Sequence, residues 1–228
     1  MRSYNKQSPL IVIHVPKAAG VSSGHIFQDW YGDQFYKHYR DESKGTMPEK
    51  LDLFALHTPE NPVCLQGHFN ALRGFGIEDY YPRVNQFVTI LRDPFELTIS
   101  HYFYTRKVGK EWIDQSRVPK DDLVSYLKNN KPNMLNHFPR KVTLDNFKEI
   151  CEEYFIEIGI TEKLDESMRR IAHKLGFNYT KKVDTLNTTT RDQPTPIEFK
   201  DPFIELNRLE YEVYTYCRTR FDSVSHVF

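Results

Sequence analysis

The sequence predicts an α/β fold, a three-layer arrangement in which a mostly parallel central sheet is flanked by helices. Two apolar runs, Leu10–Val15 and Asn85–Leu91, each pass through a short turn into helical apolar spacing, and a third, Phe155–Gly159, repeats the order. Strands that alternate with helices are joined by crossovers, and crossovers favour parallel pairing. With 228 residues, 39% hydrophobic and 14% aromatic, the chain can cover both faces of such a sheet. Residues 1–228 are therefore expected to form a single domain.

Taken in order, Leu10–Val15 reads as a buried strand, and Val21–Trp30 as the helix that follows a loop of small residues. Asn85–Leu91, "NQFVTIL", reads as the next strand. Asp93 then supplies a helix cap and Pro94 a first helical position, for a helix running to about Lys107. After Phe155–Gly159, Thr161 is placed to cap a helix whose Leu164, Met168, Ile171 and Leu175 share a face and which Gly176 ends. A last helix is expected from Asp201 as cap and Pro202 at its first position, with Leu206, Leu209, Val213, Tyr216 and Cys217 on one face. Residues 41–63 and 177–200, rich in Pro, Thr and Asn, read as irregular segments around a site.

Composition excludes several function classes. Lys+Arg and Asp+Glu balance at 31 each, which speaks against a nucleic-acid partner and makes any anion site a local one. Cys64, Cys151 and Cys217 are an odd number without a CxxC pair, so they read as buried thiols and suggest neither a disulfide framework nor zinc. The N-terminal apolar run is too short for a signal segment or a membrane span, so a cytoplasmic protein is expected.

In such a sheet, ligands bind at the carboxyl ends of the strands. The first strand runs into "PKAAGVSS". Free backbone N–H groups at a helix start, reached past Ala18, Ala19 and Gly20, make an anion cradle, and Lys17 adds positive charge. Ser22 and Ser23 can add hydroxyl donors. The same stretch would also serve as an ordinary β-to-α turn with a solvated lysine, and the G-x-x-x-x-G-K-[ST] order of a Walker loop is absent. At the exit of the second run, "ILRDPFELTISHYFYTRK", Arg92 precedes Ser100 by eight residues, about two helical turns. Both could meet one phosphate, Arg92 through its fork and Ser100 through its hydroxyl, although an Arg92–Asp93 surface pair is the plainer alternative.

The two loops together resemble the sulfotransferases that use 3′-phosphoadenosine 5′-phosphosulfate (PAPS), closest to the uronyl 2-O-sulfotransferase-like branch. The likeness continues through "LQGHFN" (Leu65–Asn70), Tyr154–Gly176 and "LNTTTR" (Leu186–Arg191). It implies a P-loop-like sulfotransferase fold. It also implies that Lys17, Ala18, Ala19, Gly20 and Ser22 or Ser23 hold the 5′-phosphosulfate, that Arg92 and Ser100 hold the 3′-phosphate, and that Thr188 and Thr189 come from a late loop closing over the nucleotide. Val21 stands where the family usually has threonine, and Leu97-Thr98 where it usually has Arg-Leu.

The implied reaction is transfer of a sulfuryl group from PAPS to an acceptor hydroxyl, expected on a sugar or glycan, with no metal. Lys17 would stabilise the leaving phosphate. His68 falls where the branch has its catalytic histidine and titrates near working pH, so it is the candidate general base. His14 reads as structural on the first strand, and His25, His57 and His101 as weaker candidates. Tyr80, Tyr81, Tyr102, Phe103 and Tyr104, with Arg73, Arg83, Arg106 and Lys107, are candidates for an aromatic and basic acceptor wall or for plain core. A small-molecule alcohol or tyrosyl acceptor, a kinase, and a non-catalytic nucleotide- or glycan-binding module are the alternatives.

Overall fold

The structure, a computed structural model, describes residues 1–180 and 191–223. β1 (Leu10–Ile13), β2 (Phe35–His38), β3 (Cys64–Gly67), β4 (Phe87–Leu91) and β5 (Phe155–Ile160) form one sheet in the order β2-β3-β1-β4-β5, with every neighbouring pair parallel. Between and after them run α1 (Gly20–Tyr31), α2 (Leu53–Leu56), α3 (Ile77–Tyr80), α4 (Pro94–Val108), α5 (Leu123–Asn129), α6 (Phe147–Tyr154), α7 (Leu164–Leu175), α8 (Lys200–Leu206) and α9 (Arg208–Ser223).

The strand period of two divides the core. Leu10 and Val12 of β1 face Phe27 and Tyr31 of α1 and Met168, Ile171 and Leu175 of α7. Ile11 and Ile13 face the other way, toward Phe147, Ile150 and Cys151 of α6 and Val213, Cys217 and Phe221 of α9. Each of these large side chains contributes ~1.5–3 kcal/mol by leaving water. A third cluster, Phe95, Ile99 and Tyr102 of α4 with Leu123 and Leu127 of α5 and Phe203 of α8, fixes the helix that leaves β4. All three cysteines are buried free thiols, and burial pushes the Cys64 thiol well up.

Asp93 caps α4, accepting from the Phe95 and Glu96 N–H groups with Pro94 in the first turn, as its sequence predicts. Several elements differ from expectation. β1 stops at Ile13, because the chain turns at Val15, whose carbonyl accepts from the Ala18 N–H. β2 and β3 were not expected; "FYKH" and "CLQG" are four residues each and mix polar with apolar side chains, β2 at the edge of the sheet and β3 between β2 and β1. Thr161 does not cap α7: residues Thr161–Lys163 form a 3-10 turn, and the Thr161 hydroxyl is buried without a hydrogen-bond partner among the described residues. The last helix is two helices broken at Asn207, whose side chain donates to the Phe203 carbonyl. Leu206 is consequently turned out, 59% exposed, while Val213 and Cys217 stay in the core. The 41–63 segment is not wholly irregular, since α2 buries Leu53.

Candidate active site at the carboxyl edge of the sheet

The strand order sets β3, β1 and β4 side by side, so the loops leaving their carboxyl ends share one edge. His68 follows β3, Lys17 follows β1 and Arg92 follows β4. The chain reverses its strand order around β1, which makes this edge the crevice where ligands of such folds sit.

In the β1 loop, Lys17 and Ala19 take left-handed backbone conformations, φ 68° and 60°. Non-glycine residues there cost on the order of 1–3 kcal/mol each, so the surroundings must hold them. They do: the Ala18 side chain is buried, and Arg92 Nη1 donates to the Lys17 carbonyl at 3.1 Å. Ala19 caps α1 with no side-chain acceptor, and the first turn of α1 carries no acidic residue. The first N–H groups of a helix have no intrahelical partner, and here they meet no protein carboxylate from that turn. This twelve-residue helix start fits an anion.

Gly20 serves a purpose that its own segment does not reveal. A Cβ at Gly20 would lie 1.9 Å from the His14 ring, so the missing side chain makes room for an imidazole. His14 stands one residue beyond β1 and hydrogen-bonds Tyr39 through Nδ1 at 2.9 Å. Its ring centroid is 4.4 Å from that of His68. The ring therefore ties the anion loop to the candidate base.

Lys17 Nζ lies 3.9 Å from the centre of the Tyr104 ring. Burial, with Arg92 and Lys107 adding like charge, brings its pKa down to about 8. Arg92 is also lowered by burial, opposed by Glu96, which sits 3.8 Å from its guanidinium. Ser22, Ser23 and Ser100 are buried, and the Ser23 hydroxyl donates to the Gly20 carbonyl. Thr188 and Thr189 lie outside the described residues.

Beside the loops opens a cavity of about 820 Å³ lined by Lys17, His68, His101, Tyr104 and His137 among others. Burial drives His68 and His101 down to about 4 and His137 to about 3; His101 adds to the depression of His68, His68 and His101 to that of His137, and Arg117 and Lys17 to that of His101, so His68 titrates well below working pH and not near it as expected. All three are neutral at pH 7, and a neutral imidazole has a lone pair to offer. His137, which no sequence motif marks, arrives on the turn Leu135–His137 between buried Met134 and Phe138. Nothing in its local sequence points to the site. His57 is structural, bonded to the Lys6 carbonyl and the Val63 N–H, and His25 is exposed on α1.

The aromatic and basic wall does not form. Tyr102 and Phe103 belong to the α4 core, Tyr81 is buried against His38 and Phe69, Arg83 stacks on Phe54, and Arg106 bonds the Tyr102 hydroxyl. Only Tyr104 and Arg73 of that set line the cavity. The helical period hides this, because α4 turns Tyr102 and Phe103 inward while Tyr104 points out. In its place, Glu42 holds Arg40, Arg73 and Arg117 at 3.5, 3.5 and 2.6 Å, and all four line the cavity. Their separation in sequence left no local signal beyond the position of residue 42 in a segment expected around a site.

The parallel sheet flanked by helices defines an α/β protein, and the uncapped helix start with a lysine and an arginine at adjacent strand exits is an arrangement that suits an anion. The chain belongs to the sulfotransferase family, whose sequence model matches residues 3–216. Mouse sulfotransferase SULT7A1, solved in complex with PAP, is similar at TM-score 0.47 and 12% identity, over 78% of this chain and 62% of its own. A sulfotransferase from Alicyclobacillus acidocaldarius is similar at TM-score 0.48 and 16% identity, over 90% of this chain and 96% of its own. This chain thus spans about 62% of the length of the mouse protein. No curated protein matches it in sequence. Among the described residues no helix is long and apolar enough to cross a membrane.

Proposed function

We propose that the protein transfers a sulfuryl group from PAPS to a carbohydrate hydroxyl, in the manner of the uronyl 2-O-sulfotransferase-like branch. The observation that carries this reading is that Lys17 and His68, from adjacent strand exits, line one cavity, while Arg92, from the next exit, donates to the Lys17 carbonyl. The uncapped start of α1 and the Lys17 ammonium would hold the phosphosulfate, and Arg92 with Ser100 the 3′-phosphate. The nucleotide supplies the sulfuryl group and departs as the 3′,5′-bisphosphate.

The residues of the chain would then divide the work. His68, neutral above about pH 4, takes the proton of the acceptor hydroxyl as its oxygen bonds to sulfur. Lys17, kept near the phosphate by the Tyr104 ring, meets the negative charge left on the bridging oxygen when the sulfur–oxygen bond breaks. His14, braced by Gly20 and Tyr39, keeps the His68 ring in place.

His68→Ala tests the assignment. It should lower transfer by a factor of ~10² or more, the usual worth of a positioned base, and leave affinity for the bisphosphate within about twofold. Full residual transfer would remove His68 from the mechanism.

A further inference from the structure

We propose that His137 is a positioning residue that binds the acceptor through the hydroxyl on the carbon next to the one sulfated, so that the acceptor presents a vicinal diol to two imidazoles. This rests on the sulfuryl-transfer reading and adds to it a second point of attachment.

The observation is a pair of unmet polar atoms. His137 is 5% exposed, and its Nδ1 is buried without a hydrogen-bond partner among the described residues. His68 likewise has a buried ring nitrogen, Nε2, with none among them. Buried polar atoms are nearly always paired, so two unmet ones on residues that line one cavity call for a ligand with polar groups for both. Both residues line the cavity that Lys17 enters, with ring centroids 6.2 Å apart. That spacing leaves room for two hydroxyl oxygens, each about 2.8 Å from its nitrogen.

The rest of the environment suits holding better than proton transfer. Met134 and Phe138, on either side of the turn, are buried in the main core, and Asn136 is tied to Asn133. Burial keeps the imidazole uncharged far below neutral pH, so it stays a hydrogen-bonding group across the working range. A hydroxyl suits either tautomer, since it can donate or accept.

The test measures sulfate transfer from labelled PAPS to methyl hexopyranosides and to their mono-deoxy analogues, with wild type, His137→Ala and His137→Gln. Thermal unfolding with the bisphosphate runs beside it. In wild type, removing the hydroxyl adjacent to the sulfated one should raise KM about tenfold or more. His137→Ala should raise KM for the intact glycoside by a similar factor, with kcat changed far less, and should erase the difference between glycoside and deoxy analogue. His137→Gln, which retains hydrogen-bonding groups, should recover part of the loss. An equal penalty for the deoxy analogue in wild type and His137→Ala would overturn the proposal. Transfer to none of the glycosides while the bisphosphate still raises the melting temperature would also overturn it and leave the PAPS site standing. The absence of any shift with the bisphosphate would instead sink the parent reading.

Discussion

Arg92 Nη1 donates to the Lys17 carbonyl across 3.1 Å, joining the loop after β4 to the strained loop after β1. The guanidinium thus braces the left-handed turn at Lys17, and under the proposed function it would also meet the 3′-phosphate.

The pairing predicts that Arg92→Lys is not conservative. Lysine keeps the charge but loses the planar fork. Hydrogen bonds to charged groups contribute ~1.5–3 kcal/mol, so affinity for the bisphosphate should fall about 10- to 100-fold by calorimetry. An unchanged dissociation constant would detach Arg92 from the nucleotide.

Two glycines are expected to tolerate nothing larger. A Cβ at Gly20 would lie 1.9 Å from the His14 ring, and one at Gly67 would lie 2.3 Å from the His38 backbone oxygen. Overpacking of this kind costs ~1–3 kcal/mol. Gly67→Ala should sit at the upper end, since backbone must move, and Gly20→Ala should also slow transfer by displacing His14. Denaturant midpoints measure the first effect and turnover the second. A stable, fully active Gly20→Ala would show that the His14 brace is dispensable.

The pH dependence of kcat/KM should be bell-shaped. A base works when neutral and a cation when protonated, so the profile rises through about 4, where His68 loses its proton, and falls through about 8, where Lys17 does. In Lys17→Arg the alkaline limb should disappear, because the guanidinium stays charged. A profile flat through pH 8 would argue against Lys17 as the charge that meets the leaving group.

Stability should fall on acidification for a related reason. His137, His68 and His101 have folded-state values of about 3, 4 and 4, all below the ordinary 6.5. The unfolded chain takes up these protons as pH drops through about 6.5, while the native state refuses them until the lower values are reached. Stability is thus present above about pH 6.5 and lost below it. His137, 5% exposed, contributes up to ~1.4 kcal/mol per pH unit in that window. Urea unfolding at pH 7 and pH 5 checks the sign, and His137→Gln should flatten the slope.

Local pattern made part of the fold legible in the sequence. The strands at Leu10 and Phe87, the Asp93-Pro94 helix start and the left-handed stop at Gly176 depend on neighbours along the chain. β2 and β3 do not: four residues with Lys37 or Gln66 among them become strands because parallel partners lie on hand. The same difference runs through the site. Lys17 and Arg92 stand at strand exits that periodicity can find. His137, the Glu42 cluster and the reason for Gly20 are meetings of residues far apart in sequence, and spacing along one chain holds no record of them.

Thermal unfolding with 3′,5′-adenosine bisphosphate, beside ADP and ATP at matched concentration, decides whether Lys17 and Arg92 frame a PAPS site. A ligand that binds only the native state adds about 2.7 kcal/mol at a hundred times its dissociation constant. A large rise in melting temperature is expected with the bisphosphate, little with ADP or ATP, and loss of the rise in Arg92→Ala. Equal shifts with all three nucleotides, or none with any, would rule that site out.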